Sequence, residues 1–189
     1  MSRLDPLDVD ALNPQQQAVL DAMQSGPRAA RHGKLGLTGP FGVWVRSPTL
    51  GNAAQAFGAV VRFQSQLPEN VKEVAICTVG AHYRAKFEFA AHGRLAMEAG
   101  VAEPVVDAIR EGRAPAFADA EEALAWELAS ALLRDHRLSD LLYARARECW
   151  SESDLIELVT IVGYYCQVSL TLNAFEVPLP EGMADPFPQ

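Results

Sequence analysis

The chain has 189 residues, a formal net charge of −8 and 49% hydrophobic residues. That apolar fraction excludes a disordered chain, and at this length roughly 70% of the unfolded surface can be buried, so no disulfide framework is needed. The acidic balance argues against nucleic acid, because a phosphate-binding face needs clustered Lys and Arg, but it does not exclude a small anion met by one local arginine.

Cys77, Cys149 and Cys166 are odd in number and far apart in sequence, which fits a reducing cytoplasm better than a secreted scaffold. Residues 1–12 contain no apolar core of a secretory leader. Period-two alternation is rare and no Asn-Gly or Asp-Gly turn occurs, while helical patterns recur. The expectation is an all-α, single-domain bundle of about eight helices.

In chain order, Asn13-Pro14 reads as N-cap and first-turn proline of a helix that fades by Gly26-Pro27. Residues 27–48 are rich in Gly and Pro and carry Phe41 and Trp44, which suits either a lid or binding loop or an arm packed on a neighbouring subunit. Ser47-Pro48 starts a helix to about Gln66, and Pro68 starts another through Ala81. His82–Ala99 follows, closed by Gly100. Further helices begin at Pro104, after Asp119, after Ser139 and after Ser151, the last reaching about Phe175. Its most apolar part, residues 158–172, is too short to cross a bilayer comfortably and reads as a core or subunit-interface helix. The chain thus divides into an N-terminal helix and arm or loop (1–48), a helical domain (49–176) and an irregular tail (177–189).

The chemistry lies in residues 69–100. At ~100° per residue, Ala85, Glu88, Phe89, His92, Leu95, Ala96 and Ala99 share one ~120° sector. Glu88 and His92 are therefore an acid and an imidazole stacked on one apolar face. Burial and mutual charge would tune both, as general acid–base catalysis requires, and the same pair would also serve as a self-satisfied core or interface contact. Glu73 is a third acid one helix earlier, or else a first-turn Glu that stabilises a helix N-terminus. Arg84 sits at the stripe's edge, as a carboxylate-binding cation or an ordinary surface residue, and His82 opens the helix. No HExxH and no zinc-spaced cysteine pairs are present, so no metal is expected. The stretch 33–39 lacks the order of a phosphate loop.

Leu67–Ile76, Tyr83–His92 and Ala99-Gly100-Val101 together resemble the carboxymuconolactone decarboxylase family, whose helical fold is shared with the alkylhydroperoxidase-D proteins. The resemblance is strongest over 67–112 and looser to Asn173, through Gly163-Tyr164-Tyr165. Peroxidase members carry C-x-x-C ahead of the histidine matching His92, and here those positions are Ala85 and Glu88. Without those thiols there is no peroxidatic thiolate and no resolving partner. Glu73 matches the peroxidases' relay glutamate.

The resemblance implies a cofactor-free enzyme acting by decarboxylation, isomerisation or hydration on a small organic acid or lactone. His92, Glu88 and Glu73 would be catalytic, with Arg84 or Arg46 holding the substrate anion and Phe41, Trp44 and His82 as further binding residues. It also implies trimers or hexamers. A non-catalytic oligomeric binding protein of the same fold is the competing reading.

Overall fold

The computed structural model describes residues 2–26 and 36–188. Residues 27–35, with the start of the Gly/Pro-rich arm and of the phosphate-loop-like stretch, lie outside the described residues. Among the described residues there are nine α-helices, one short 3-10 turn and no strand. The helices are α1 (Pro14–Ser25), α2 (Pro40–Trp44), α3 (Pro48–Phe63), α4 (Glu69–His82), α5 (Lys86–Glu98), α6 (Glu103–Arg110), α7 (Ala120–Asp135), α8 (Asp140–Cys149) and α9 (Glu152–Ala174).

The helix starts follow local side-chain chemistry. Asn13 and Gln16 form a reciprocal capping box at α1, with Pro14 in the first turn. Asp119 accepts the backbone N–H groups of Glu121 and Glu122 at α7, and Ser139 accepts that of Leu142 at α8. Ser151 and Asp154 exchange bonds at the head of α9. At the end of α5, Gly100 adopts φ 99° and Val101 N–H reaches back to the Ala96 carbonyl at 3.0 Å. This is a Schellman closure, which needs a residue free to enter the left-handed region.

Two compact units result: Met1–Ser65 with Thr171–Glu181, and Gln66–Leu170 with Gly182–Gln189. In the first, Val19, Leu20, Met23 and Val45 form a buried cluster, with Leu7, Leu12, Leu37 and Phe41 packed against it. Both α1 and α2 pack on α3. Gly51 makes the second contact possible, since a Cβ there would lie 2.1 Å from the Trp44 carbonyl oxygen. The Gly/Pro-rich composition of residues 27–48 suggests a lid, a binding loop or an arm. Pro40 instead sits at the first turn of α2, and Trp44 is buried.

In the second unit α4 is the central element. It is buried continuously from Val71 to Gly80 and packs against α5, α6 and α7. Its start is tied to α7 by Asn70 donating to Glu122 Oε1 at 2.9 Å. The 23 residues of α9 outrun the apolar segment read from the sequence and reach membrane-spanning length and hydropathy. Half of its most apolar window is nevertheless buried, through residues such as Leu158, Ile161 and Ser169. That buried half packs within the fold, while Ile156, Val159 and Leu170 leave an apolar face exposed.

Candidate functional site

α4 and α5 are joined by only Tyr83, Arg84 and Ala85. Going back along α4, the partner moves forward along α5. Gly80 meets the backbone of Phe89, and Glu73 meets His92. The two helices therefore run antiparallel, and residues nineteen apart in sequence are brought side by side.

Glu73 Oε2 lies 2.7 Å from His92 Nδ1, and Glu88 Oε1 lies 3.1 Å from His92 Nε2. The imidazole is thus bracketed by two carboxylates, one on each ring nitrogen. The side chains of Glu73, Glu88 and His92 are 0%, 4% and 12% exposed, so only the imidazole keeps an edge toward solvent. Glu73 is the fifth residue of α4 and is fully buried, so it is not the first-turn, dipole-stabilising Glu that its position seemed to allow. With Glu73 ionised, Oε2 accepts and Nδ1 donates, which fixes the tautomer and leaves Nε2 as the nitrogen that exchanges a proton. Burying a carboxylate without compensation costs several kcal/mol, on the order of the whole stability of many domains. Glu73 and His92 are tied by a hydrogen bond, whereas Glu88 Oε1 stands at ion-pair distance from Nε2 without forming one. The Tyr165 ring meets the imidazole edge-on at 5.0 Å, with Tyr164 edge-on to Tyr165 at 5.3 Å.

The other expected site residues each have their own surroundings. His82 ends α4 instead of opening α5, and Arg84 is in the intervening turn with φ 48°, not on the helix. The continuous apolar pattern and the lack of Gly or Pro hid that turn. The Arg84 guanidinium lies over the Phe187 ring, 5.0 Å from its centroid. His82 and Arg84 line a 540 Å³ groove that does not include Glu73, Glu88 or His92. Arg46 donates from Nε to the Gly42 carbonyl at 3.1 Å and from its guanidinium to the Asp5 carbonyl, within the first unit. Phe41 and Trp44 meet edge-on at 5.7 Å in that same unit. Tyr165 was not singled out from the sequence as a site residue. An aromatic pair on the apolar helix was its only signal.

No cysteine is set up as a nucleophile. Cys77 is fully buried. Burial pushes the Cys166 thiol up, outweighing a hydrogen bond with Tyr83 that acts the other way. Burial likewise raises Cys149, with help from the charges of Glu121 and Asp119. Each effect disfavours the thiolate.

The chain matches no family profile and no curated protein. Its fold has clear counterparts among solved structures. An uncharacterized peroxidase-related protein from Ralstonia eutropha JMP134, an alkylhydroperoxidase AhpD core, superposes with a TM-score of 0.78 at 14% identity, covering 95% of this chain and 93% of that one. A peroxidase-related protein from Silicibacter sp. TM1040 gives 0.73 at 15% identity, over 96% and 93%. The debrominase Bmp8 gives 0.71 at 17% identity, over 93% and 91%. The fold is that of the AhpD core, as the sequence resemblance implied.

Proposed function

We propose that the protein is a cofactor-free acid–base enzyme acting on a small organic acid or lactone. The observation that carries this reading is the part-buried imidazole of His92 bracketed at 2.7 Å by Glu73 and at 3.1 Å by Glu88. Glu73 is the positioning residue, holding the Nδ1 proton. His92 Nε2 gives a proton to, or takes one from, a carbon or oxygen of the substrate at the exposed imidazole edge. Glu88 stands beside Nε2 as the acceptor and store of that proton between steps. Decarboxylation, isomerisation and hydration each need one such transfer to an enolate-type centre. A carboxylate occupies position 88, where peroxidase relatives of the resembling family hold a thiol, and the raised Cys149 and Cys166 thiols argue against peroxide reduction.

The fold hosts small-molecule chemistry elsewhere. One counterpart is a debrominase, and a variant of it is known in complex with 2,3,4-tribromopyrrole. The test is a panel of small lactones and organic acids incubated in D₂O and followed by mass spectrometry for turnover or deuterium uptake. Wild type should process a member of the panel, and a folded His92→Gln variant should not. Full activity in the folded variant would remove His92 from the chemistry.

A second feature favours self-association, as trimers or hexamers. Ile156, Val159, Gly163 and Leu170 lie on one face of α9 within about 100° of each other, and each of the three large residues is more than a third exposed. Light scattering should give a multiple of 20.5 kDa. Ile156→Asp with Leu170→Asp should reduce it to the single-chain mass.

A further inference from the structure

The chain's charge is −8, yet one groove of 540 Å³ is lined by four arginines and a single acid. It lies between the C-terminal ends of α4 and α6 and one side of α7. Its apolar side is made by Ile109, Leu133 and the half-buried Trp126. Three of the arginines are already committed. Arg110 pairs with Asp107 at 2.9 Å, Arg113 with Glu111 at 2.7 Å, and Arg134 with Asp135 at 2.6 Å.

Arg84 differs from these. Its guanidinium forms no ion pair among the described residues: it lies over the Phe187 ring, and Asp185, whose carboxylate it only helps to stabilise from farther off, is paired with Lys86 at 2.5 Å. It also holds φ 48°, a conformation that non-glycine residues avoid. Two further polar groups in the groove, the His82 imidazole and the Ser130 hydroxyl, have no hydrogen-bonding partner among the described residues. A permanent cation, an imidazole and a hydroxyl thus line the same groove as an indole and two aliphatic side chains. That combination recognises a compact anion on a flat apolar body, and the volume suits a small ligand.

We infer that this groove is a second binding site, separate from the Glu73–His92–Glu88 unit, for an aromatic monocarboxylate. Arg84 clamps the carboxylate, assisted by His82 and Ser130, and the ring lies against Trp126. The inference does not rest on the acid–base reading.

Naphthoate is the probe, titrated calorimetrically and by quenching of tryptophan fluorescence. Arg84→Gly is the informative variant, because glycine is at ease at φ 48° and the fold should persist. Wild type should bind naphthoate. Arg84→Gly should weaken Kd at least about tenfold, and the neutral analogue naphthamide should bind wild type about as weakly. His92→Gln and Arg94→Ala, the latter an exposed arginine of α5 outside the groove, should leave Kd unchanged. Undetectable naphthoate binding at millimolar concentration would overturn the proposal. So would equal Kd in Arg84→Gly and wild type, equal binding of naphthamide, or a weakened Kd in His92→Gln.

Discussion

Replacing His92 with Gln removes the group that two buried carboxylates share, at 2.7 Å and 3.1 Å. Breaking a buried ion pair from one side costs about 3–5 kcal/mol. The glutamine amide can still donate to one carboxylate, and one restored hydrogen bond to a charged group returns about 1.5 kcal/mol or more. The net loss is therefore about 1.5–3.5 kcal/mol, which in a chain of this length is a fall in Tm of roughly 3–14 °C. Urea unfolding at fixed protein concentration and neutral pH measures it. The sharper result is the cycle with Glu73→Gln. Each single variant breaks the same contact, so the double variant should be less destabilised than the sum, with a coupling of about 0.5–3 kcal/mol. A coupling below about 0.5 kcal/mol, the range of independent sites, would refute the idea that the imidazole and Glu73 act as one unit.

Two other outcomes follow from the packing and the charges. Gly51→Ala places a Cβ 2.1 Å from the Trp44 carbonyl oxygen, so α2 and α3 must separate; the expected loss is about 1–3 kcal/mol, and an unchanged urea midpoint would contradict the close approach. Lys86, and after it the Phe187 backbone N–H, hold the Asp185 carboxyl below its ordinary value of 3.8. A depressed folded value means that this tie contributes fully above the unfolded pKa and is lost as pH falls through the folded one. The Phe187 ring, edge-on to Phe89 at 5.2 Å, should therefore loosen only in strong acid, and Asp185→Asn should reproduce that loosening at neutral pH in the aromatic NMR signals. Unaltered Phe187 signals in that variant would show that the ion pair does not hold the tail.

How much was readable in advance depended on distance along the chain. Caps are local, so Asn13, Asp119 and Ser139 announced their helices correctly. The sequence separates α4 from α5 at Ala81/His82, but the three-residue turn that follows His82 is hidden, because it is made by Arg84 at positive φ with no Gly or Pro to mark it. The short α2 was missed because its Gly and Pro content resembles that of a loop, while its formation depends on α3 approaching at Gly51. Within the site, Glu88 and His92 were legible as an i, i+4 pair on one helix. Glu73 was not resolved by the residues alone, since its pairing nineteen positions away depends on the antiparallel packing of α4 and α5. Arg84 was read as a neighbour of the imidazole from a helical wheel that did not continue through that position. Its place over Phe187 depends on a tail that carries no periodic signal.

The central claim is that Glu73 fixes the proton on Nδ1 of His92 and leaves Nε2 to exchange with Glu88 and substrate. Long-range ¹H–¹⁵N correlation spectra of the histidines, assigned by loss of one signal in His92→Gln, test it directly. The prediction is that His92 carries a proton on Nδ1, donated to Glu73 Oε2 at 2.7 Å. A His92 with Nδ1 deprotonated and Nε2 carrying the proton would contradict the account.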